Sequence, residues 1–365
     1  MKNQALGLLA LVLTVCCLFG CSNPIRVAVS PDGKTVAVAE DRALIFHDLA
    51  HAKSNWKVRI KNPNDPKYSP NGKWVLVTED QHNTKLINTS TRTASTFKQD
   101  NSGYAWRPDS GEFVVCRPDN VARVIDPVTR EIRHKYRLPF APTQATWLGQ
   151  SEDIAFAAGS QIAFLIGGKV SLHSIKGEVR CLAFDRMHSR IVWVEAAPVT
   201  ESDSGSISIM AINRSLDHEE TLVAKAKCDK FFGVDEDNAF SYFAALSPDE
   251  SKVLLLGLVL SGPPDLLKEY QELGKGAEDK KSAIDKARIK QLEGLIKAQV
   301  EAVVLNLGNP SAKPQIIHST QPVPLSRYKD PKSLDGLTFD AAWMPNGKAV
   351  AIVGKGDDIT VRAID

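Results

Sequence analysis

Catalysis needs nucleophiles, bases or metal ligands at workable spacing, and this chain offers few. None of its eight histidines falls in an H-E-x-x-H signature. No G-x-S-x-G nucleophile elbow is present, and Gly354-Lys355-Gly356 lacks the strand-to-helix setting of a phosphate loop. The acidic runs Asp235-Glu236-Asp237 and Asp357-Asp358 read as solvated loop tips rather than calcium ligands. Of six cysteines, Cys116 and Cys181 sit inside apolar runs and read as small buried residues. A Cys181–Cys228 bridge stays open as an alternative in an oxidising compartment. The residues therefore lead to an expectation of no catalytic constellation, no metal and no cofactor.

One cysteine does sit in a chemical setting. Residues 5–19 are almost continuously apolar behind a single basic residue, Lys2. That run is short of the roughly 20 residues a membrane span needs and suits the core of an export signal. It ends Leu18-Phe19-Gly20-Cys21, which resembles the bacterial lipobox. Leu18 and Gly20 match that pattern, and Phe19 is larger than the usual residue at its place. The resemblance implies a diacylglycerol thioether on Cys21 and cleavage on its N-terminal side. The expected division is a signal peptide over residues 1–20, a lipidated tether over 21–24 and a folded domain over 25–365. Ser22, rather than aspartate, resembles the pattern of sorting to the periplasmic side of the outer membrane in Gram-negative bacteria. An uncleaved anchor helix and cleavage without lipid are the competing readings.

Composition sets outer limits. An apolar share of 43% and a charged share of 24% are those of a globular protein. The formal charge of +2 falls to +1 once Lys2 is removed, which leaves no basic footprint for nucleic acid.

The elements that must position any site come from a repeat. Val27 opens a unit whose turn is Pro31-Asp32-Gly33, and the turn returns as Pro70-Asn71-Gly72, as Pro108-Asp109, as Pro248-Asp249 and as Pro345-Asn346-Gly347. Weaker copies span residues 145–157 and 181–194, which makes seven. Proline presets φ, Asp or Asn tolerates the next position and glycine supplies the positive φ that closes a tight hairpin. Apolar runs on either side read as two buried strands. A third strand follows at residues 43–48, 84–88, 121–126 and 359–364, and a more polar fourth at 56–61 and 131–138. Four strands per unit, apolar inside and polar outside, make a propeller blade. The expected fold is all-β, a seven-bladed propeller whose last blade has three strands. On these turns the chain resembles the WD-repeat and TolB-like propellers, although the Gly-His and Trp-Asp dipeptides of WD repeats are missing. Trp106, Trp147 and Trp343 hold equivalent places at the ends of first strands, where blade-to-blade packing is expected.

The first four intervals between turns are 39, 38, 41 and 37 residues, and the last two are 62 and 97. The excess falls at residues 196–206, at a helical insertion over 264–300 and at a proline-rich link over 321–337. In the insertion Asp265 is expected to cap a first helix ending at Gly274. A second, over 277–299, places Ile289, Leu292 and Ile296 on one face. That face either packs on its own blade or contacts a partner. In propellers of these families, the connections that carry all three extensions emerge on one face, the face from which the first strand is entered.

These features imply a membrane-anchored interaction scaffold without catalysis, lying in the cell envelope beside other envelope proteins. A binder of cell-wall or small-molecule ligands at the central channel, and a propeller hydrolase or lactonase, are the alternatives.

Overall fold

Ser30, Pro31, Asp32 and Gly33 form the turn on which the other turns are patterned. The Gly33 N–H donates to the Ser30 carbonyl at 2.8 Å. The Ser30 hydroxyl donates to Asp32 at 2.6 Å and accepts from the Thr35 N–H at 2.9 Å. Gly33 has φ +71°, the left-handed region that a Cβ disfavours. The second turn repeats this, with Gly72 at φ +72° and the Ser69 hydroxyl donating to Asn71 at 2.8 Å. In the third turn the glycine is not the residue that bends. Ser110 takes φ +64°, while the Gly111 N–H donates to Asp109 at 2.8 Å.

The computed structural model describes residues 27–40, 42–51, 55–80, 83–97, 102–185, 189–196, 206–213, 220–227, 243–248, 251–274, 282–307, 309, 314–328, 340–354 and 359–364. Residues 1–26, with Leu18, Phe19, Gly20 and Cys21, lie outside them, as do Cys228, Asp249 and the 197–205 loop.

Seven antiparallel sheets follow one another along the chain. Blade one comprises β1 (Val27–Val29), β2 (Thr35–Glu40), β3 (Ala43–Asp48) and β4 (Trp56–Arg59). Blade two comprises β5 (Pro63–Tyr68), β6 (Trp74–Glu79), β7 (Asn83–Asn88) and β8 (Thr93–Phe97). Blade three comprises β9 (Gly103–Trp106), β10 (Phe113–Cys116), β11 (Val121–Ile125) and β12 (Ile132–Arg137). Blade four comprises β13 (Gln144–Trp147), β14 (Ile154–Ala158), β15 (Gln161–Ile166) and β16 (Lys169–Ser174). Blade five comprises β17 (Glu178–Asp185), β18 (Arg190–Ala196), β19 (Ser206–Asn213) and β20 (Thr221–Lys227). Blade six comprises β21 (Phe243–Leu246), β22 (Lys252–Ser261), β23 (Lys297–Asn306) and β24 (Gln315–Ser319), with β25 (Val323–Pro324) also pairing with β23. Among the described residues blade seven has three strands, β26 (Asp340–Trp343), β27 (Ala349–Val353) and β28 (Ile359–Ala363). The fold is a seven-bladed propeller, as the repeat implies.

The core is distributed among the seams between blades. Leu44, Phe46 and Val75 join blades one and two, and Leu76, Tyr104 and Phe113 join two and three. The same holds around the ring to Leu254 and Trp343 between six and seven. The circle closes where Val27, Val36 and Val38 pack on Ala351 and Val353. The turns abut as well. A Cβ built on Gly72 would lie 3.6 Å from Pro31, and one on Gly33 would lie 3.5 Å from Met344. The Asn71 N–H donates to the Ser110 hydroxyl at 3.0 Å.

The insertion departs from expectation in its boundaries. Helix α1 (Pro264–Gly274) begins one residue before Asp265, which lies in its first turn rather than at a cap. Helix α2 (Ala283–Leu295) is capped by Ser282, whose hydroxyl accepts from the Asp285 N–H at 3.1 Å. It ends four residues short of the expected limit. Ile296 is extended, and Lys297 to Gln299 pair with Ser261 to Val259 in the β22–β23 ladder. Interstrand hydrogen bonding therefore overrides the helical spacing of the apolar residues.

Candidate functional site

In an antiparallel meander, alternate connections emerge on alternate faces. The proline turns join first to second strands on one face of the disc. Second-to-third connections and blade-to-blade links emerge on the other. Helices α1 and α2 sit between β22 and β23, a second-to-third connection. Strand β25 and the short helix α3 (Leu325–Tyr328) follow β24, in the link to blade seven. Both extensions lie on the same face, and they form one body. Leu260, Tyr270, Leu292, Ile296, Ala298 and Leu325 pack together, apart from the seams.

The body is raised above the disc by its own hairpin. Among the described residues, the inner strand β21 pairs with β22 from Val253 to Leu256. Strand β22 runs on to Ser261, about 16 Å further at 3.3 Å per residue. The Leu325 N–H donates to the Ile296 carbonyl at 2.8 Å, tying the link to the end of α2. Arg288 of α2 clasps Glu269 of α1 at 2.6 and 2.7 Å, and these hydrogen bonds hold the Glu269 carboxyl below its usual range.

This arrangement reassigns the apolar side of α2. Leu292 and Ile296 are fully buried and Ile289 is partly buried, so all three build the arm's interior. They are not presented to a partner. The outer side carries Ile284 and Leu295, 80% and 53% exposed. Eleven residues apart, they fall within about 20° of each other around the helix.

The inner strands hold the second place where polar groups converge. On β5, Lys67 lies 3.1 Å from Asp65 and donates to the Tyr104 carbonyl of β9 at 3.2 Å. Its ammonium stands 4.9 Å from the centre of the Tyr104 ring, a cation–π distance. The Tyr104 hydroxyl donates to the Asp65 carbonyl. Asp65 sits at φ +51°, where the β5–β6 register shifts between Asn64 and Lys67. Its side chain is 26% exposed as a whole, yet Oδ1 is sealed from solvent and has no hydrogen-bond donor. Burial raises its pKa, with Lys67 opposing. On β17, Arg180 pairs with Glu178 at 2.8 Å while its Nε is buried without an acceptor. Sequence reasoning missed these residues, because Pro63-Asn64-Asp65-Pro66 reads as a loop rather than an inner strand.

The thiols are not poised for chemistry. Burial pushes Cys116 up to about 12 and Cys181 up to about 11, so neither is a thiolate at neutral pH. His47 and His51, four residues apart, diverge. His47 is buried beside Asn55 at 3.2 Å, and the His51 side chain is 75% exposed next to Asp48. Among the described residues no group of three His, Cys, Asp or Glu side chains could hold a metal ion. The turn residues Pro31, Asp32, Gly33, Pro70, Asn71 and Gly72 lie on the opposite face from the arm, in the structural role their spacing implies.

No family model matches the chain, and no curated protein matches it. Solved structures do. A chain of Kuenenia stuttgartiensis hydrazine synthase is 14% identical, with 94% of this chain and 96% of that chain covered at a TM-score of 0.57. The Cps50 (Swd1) β-propeller domain of Myceliophteria thermophila is 11% identical, with 94% and 98% covered at 0.57. A chain of the mitotic checkpoint complex is 10% identical, with 94% and 92% covered at 0.58. These likenesses show the β-propeller fold. Since one of them is an enzyme and another part of a checkpoint complex, activity has to be argued from side chains.

Proposed function

We propose that the chain is a non-catalytic, lipid-anchored propeller that docks other proteins in the cell envelope. The observation that carries this reading is the single folded arm on the face from which β1 is entered. Val27 begins β1 only six residues after Cys21, and six steps at about 3.5 Å each reach about 21 Å. A lipid on Cys21 would thus hold the decorated face near the membrane surface. The solved structures of like fold include a chain of the mitotic checkpoint complex, which agrees with a docking role.

The test has two arms. Mass spectrometry of the membrane-extracted protein should find a chain beginning at Cys21 with diacylglycerol on sulfur, and Cys21→Ser should release it from the membrane. A chain retaining residues 1–20, or an unmodified Cys21, overturns the anchor. Partner recovery from membranes should fall when residues 264–295 are replaced by a short turn. Unchanged recovery overturns the arm as the docking element.

A second reading rests on Lys67. Its ammonium, with the side chain 41% exposed, could receive an anionic small ligand at the channel. The hydrolase reading needs several displaced acidities there. Asp65 is shifted upward, and it is already paired with Lys67.

A further inference from the structure

Blade three gathers positive charge on one side of its outer hairpin. Arg123 of β11 stands directly opposite Lys135 of β12, and Val121 stands opposite Arg137. Arg123 is also opposite Val115 of β10, which packs in the seam with blade two. Alternation along the strands puts Lys135 and Arg137 on that same side. Directly opposed residues have Cβ atoms about 5 Å apart, and residues two apart on a strand are about 7 Å from each other. The three cationic side chains therefore start from one patch, at the outer end of the seam.

Nearby carboxylates do not balance it. Asp119 accepts from the Arg117 Nε at 3.1 and 3.2 Å, and Asp126 and Glu131 are engaged by Arg133 at 2.8 and 3.3 Å. On β8, Phe97 packs into the seam, so Ser95 and Thr93 lie on the side facing the patch and bring no charge. Among the described residues Lys135 and Arg137 form no ion pair, and both are exposed. Arg123 is half-buried, and its Nε is sealed from solvent with no acceptor.

Two costs are thus built into the patch. Like charges opposed in a ladder repel, and a buried donor without an acceptor forfeits its hydration. Charge on an edge strand guards against edge-to-edge pairing, which accounts for Lys135 and Arg137. It does not account for Arg123, because β11 has a neighbour on both sides.

We propose that Arg123, Lys135 and Arg137 bind a phosphoryl group. A phosphomonoester brings a charge of roughly −1.5 to −2 and three acceptor oxygens at neutral pH, where a carboxylate brings one charge and two oxygens. Guanidinium forks grip such oxygens in pairs, and the Lys135 ammonium serves as a point charge beside them. The bound anion relieves the repulsion between Arg123 and Lys135 and offers the Arg123 guanidinium the acceptor it lacks. This site lies on the rim, in residues separate from the arm and from Lys67, and it does not depend on the anchor.

Acetylation of lysines in the purified full-length protein, read residue by residue by mass spectrometry, tests the assignment. Inorganic phosphate or glycerol phosphate should protect Lys135, while Lys57, exposed on β4, reacts as before. Formate at equal ionic strength should protect neither. Arg123→Gln and Arg137→Gln should each raise the half-protecting concentration at least about tenfold, the loss of one charged hydrogen bond. Vesicles of phosphatidylcholine with phosphatidic acid separate the sources. Protection by these alone assigns the phosphoryl group to a lipid headgroup, and protection by the soluble probes assigns it to a free phosphate or phosphate ester. No protection by any probe, equal protection of Lys57, equal protection by formate, or protection unchanged in both variants overturns the proposal. Asp100 lies outside the described residues. Faster Lys135 acetylation in ligand-free Asp100→Asn means that the chain supplies its own anion, and that result also overturns the proposal.

Discussion

The indole N–H of Trp343 donates to the main-chain carbonyl of Ala245 at 3.0 Å, across the seam between blades seven and six. Trp147 makes the same bond to Ala105 at 3.2 Å, and Trp106 to Lys67 at 3.1 Å. In each case the acceptor precedes the residue that ends the previous blade's first strand. The three tryptophans therefore act as one repeated fastening. Trp343→Phe should cost about 1–2 kcal/mol, the carbonyl losing its donor, and Trp343→Ala about 3–5 kcal/mol. Denaturant midpoints of the two variants against the parent protein check the order.

Gly103 marks the tightest approach between blades three and four. A Cβ there would lie 2.2 Å from the Thr143 carbonyl oxygen, a backbone atom that cannot step aside. Gly103→Ala should destabilise by about 3 kcal/mol through displacement of the seam. At Gly111 the nearest atom would be the Arg107 side chain at 2.9 Å, which can move. Gly111→Ala should therefore cost well under half as much in the same melt.

Acid should act through the turns. The Ser30 hydroxyl, above all, holds the Asp32 carboxyl below its usual range, and the Arg107 guanidinium does the same for Asp109. A carboxyl with a lowered folded-state pKa contributes stability above its unfolded pKa, about 3.9, and loses it as pH falls through the folded value. Stability should thus drop below about pH 4. Asn71 and Asn346 hold the corresponding place in two other turns and do not titrate. Asp32→Asn should accordingly flatten part of the acid limb in a pH series of thermal melts.

The arm should come loose before the disc. Its buried residues form a separate cluster, in which Leu292 is fully buried. Leu292→Ala should cost about 2–5 kcal/mol within the arm. Hydrogen exchange should quicken in α1, α2 and β25 and stay unchanged in β13 to β16, where no arm residue contributes to the seams.

What sequence alone could reveal depended on how local the cause was. The turns are written within a few residues, so the five that carry proline, the two weaker copies and the blade period were legible. The end of α2 was not. Ile289, Leu292 and Ile296 keep helical spacing, but the chain leaves the helix at Ile296 to pair with β22, a partner thirty-odd residues earlier. Lys67, Asp65 and Tyr104 were invisible for a related reason. Their meeting depends on a register shift in a strand that carries two prolines.

The tryptophan fastenings all point the same way, from a later blade to an earlier one. A chain emerging amino end first always has the acceptor in place before its donor arrives. Lys67 precedes Trp106, Ala105 precedes Trp147, and Ala245 precedes Trp343. Assembly can therefore advance in the order of synthesis, each newcomer latching onto a finished neighbour. Blade one holds Val29 where those blades hold tryptophan, so the last junction has no indole fastening and rests on Val27, Val36, Val38, Ala351 and Val353, with Met344 and Ile359 beside them. The circle is thus left to shut at the end, at the junction that asks least of the two ends being brought together.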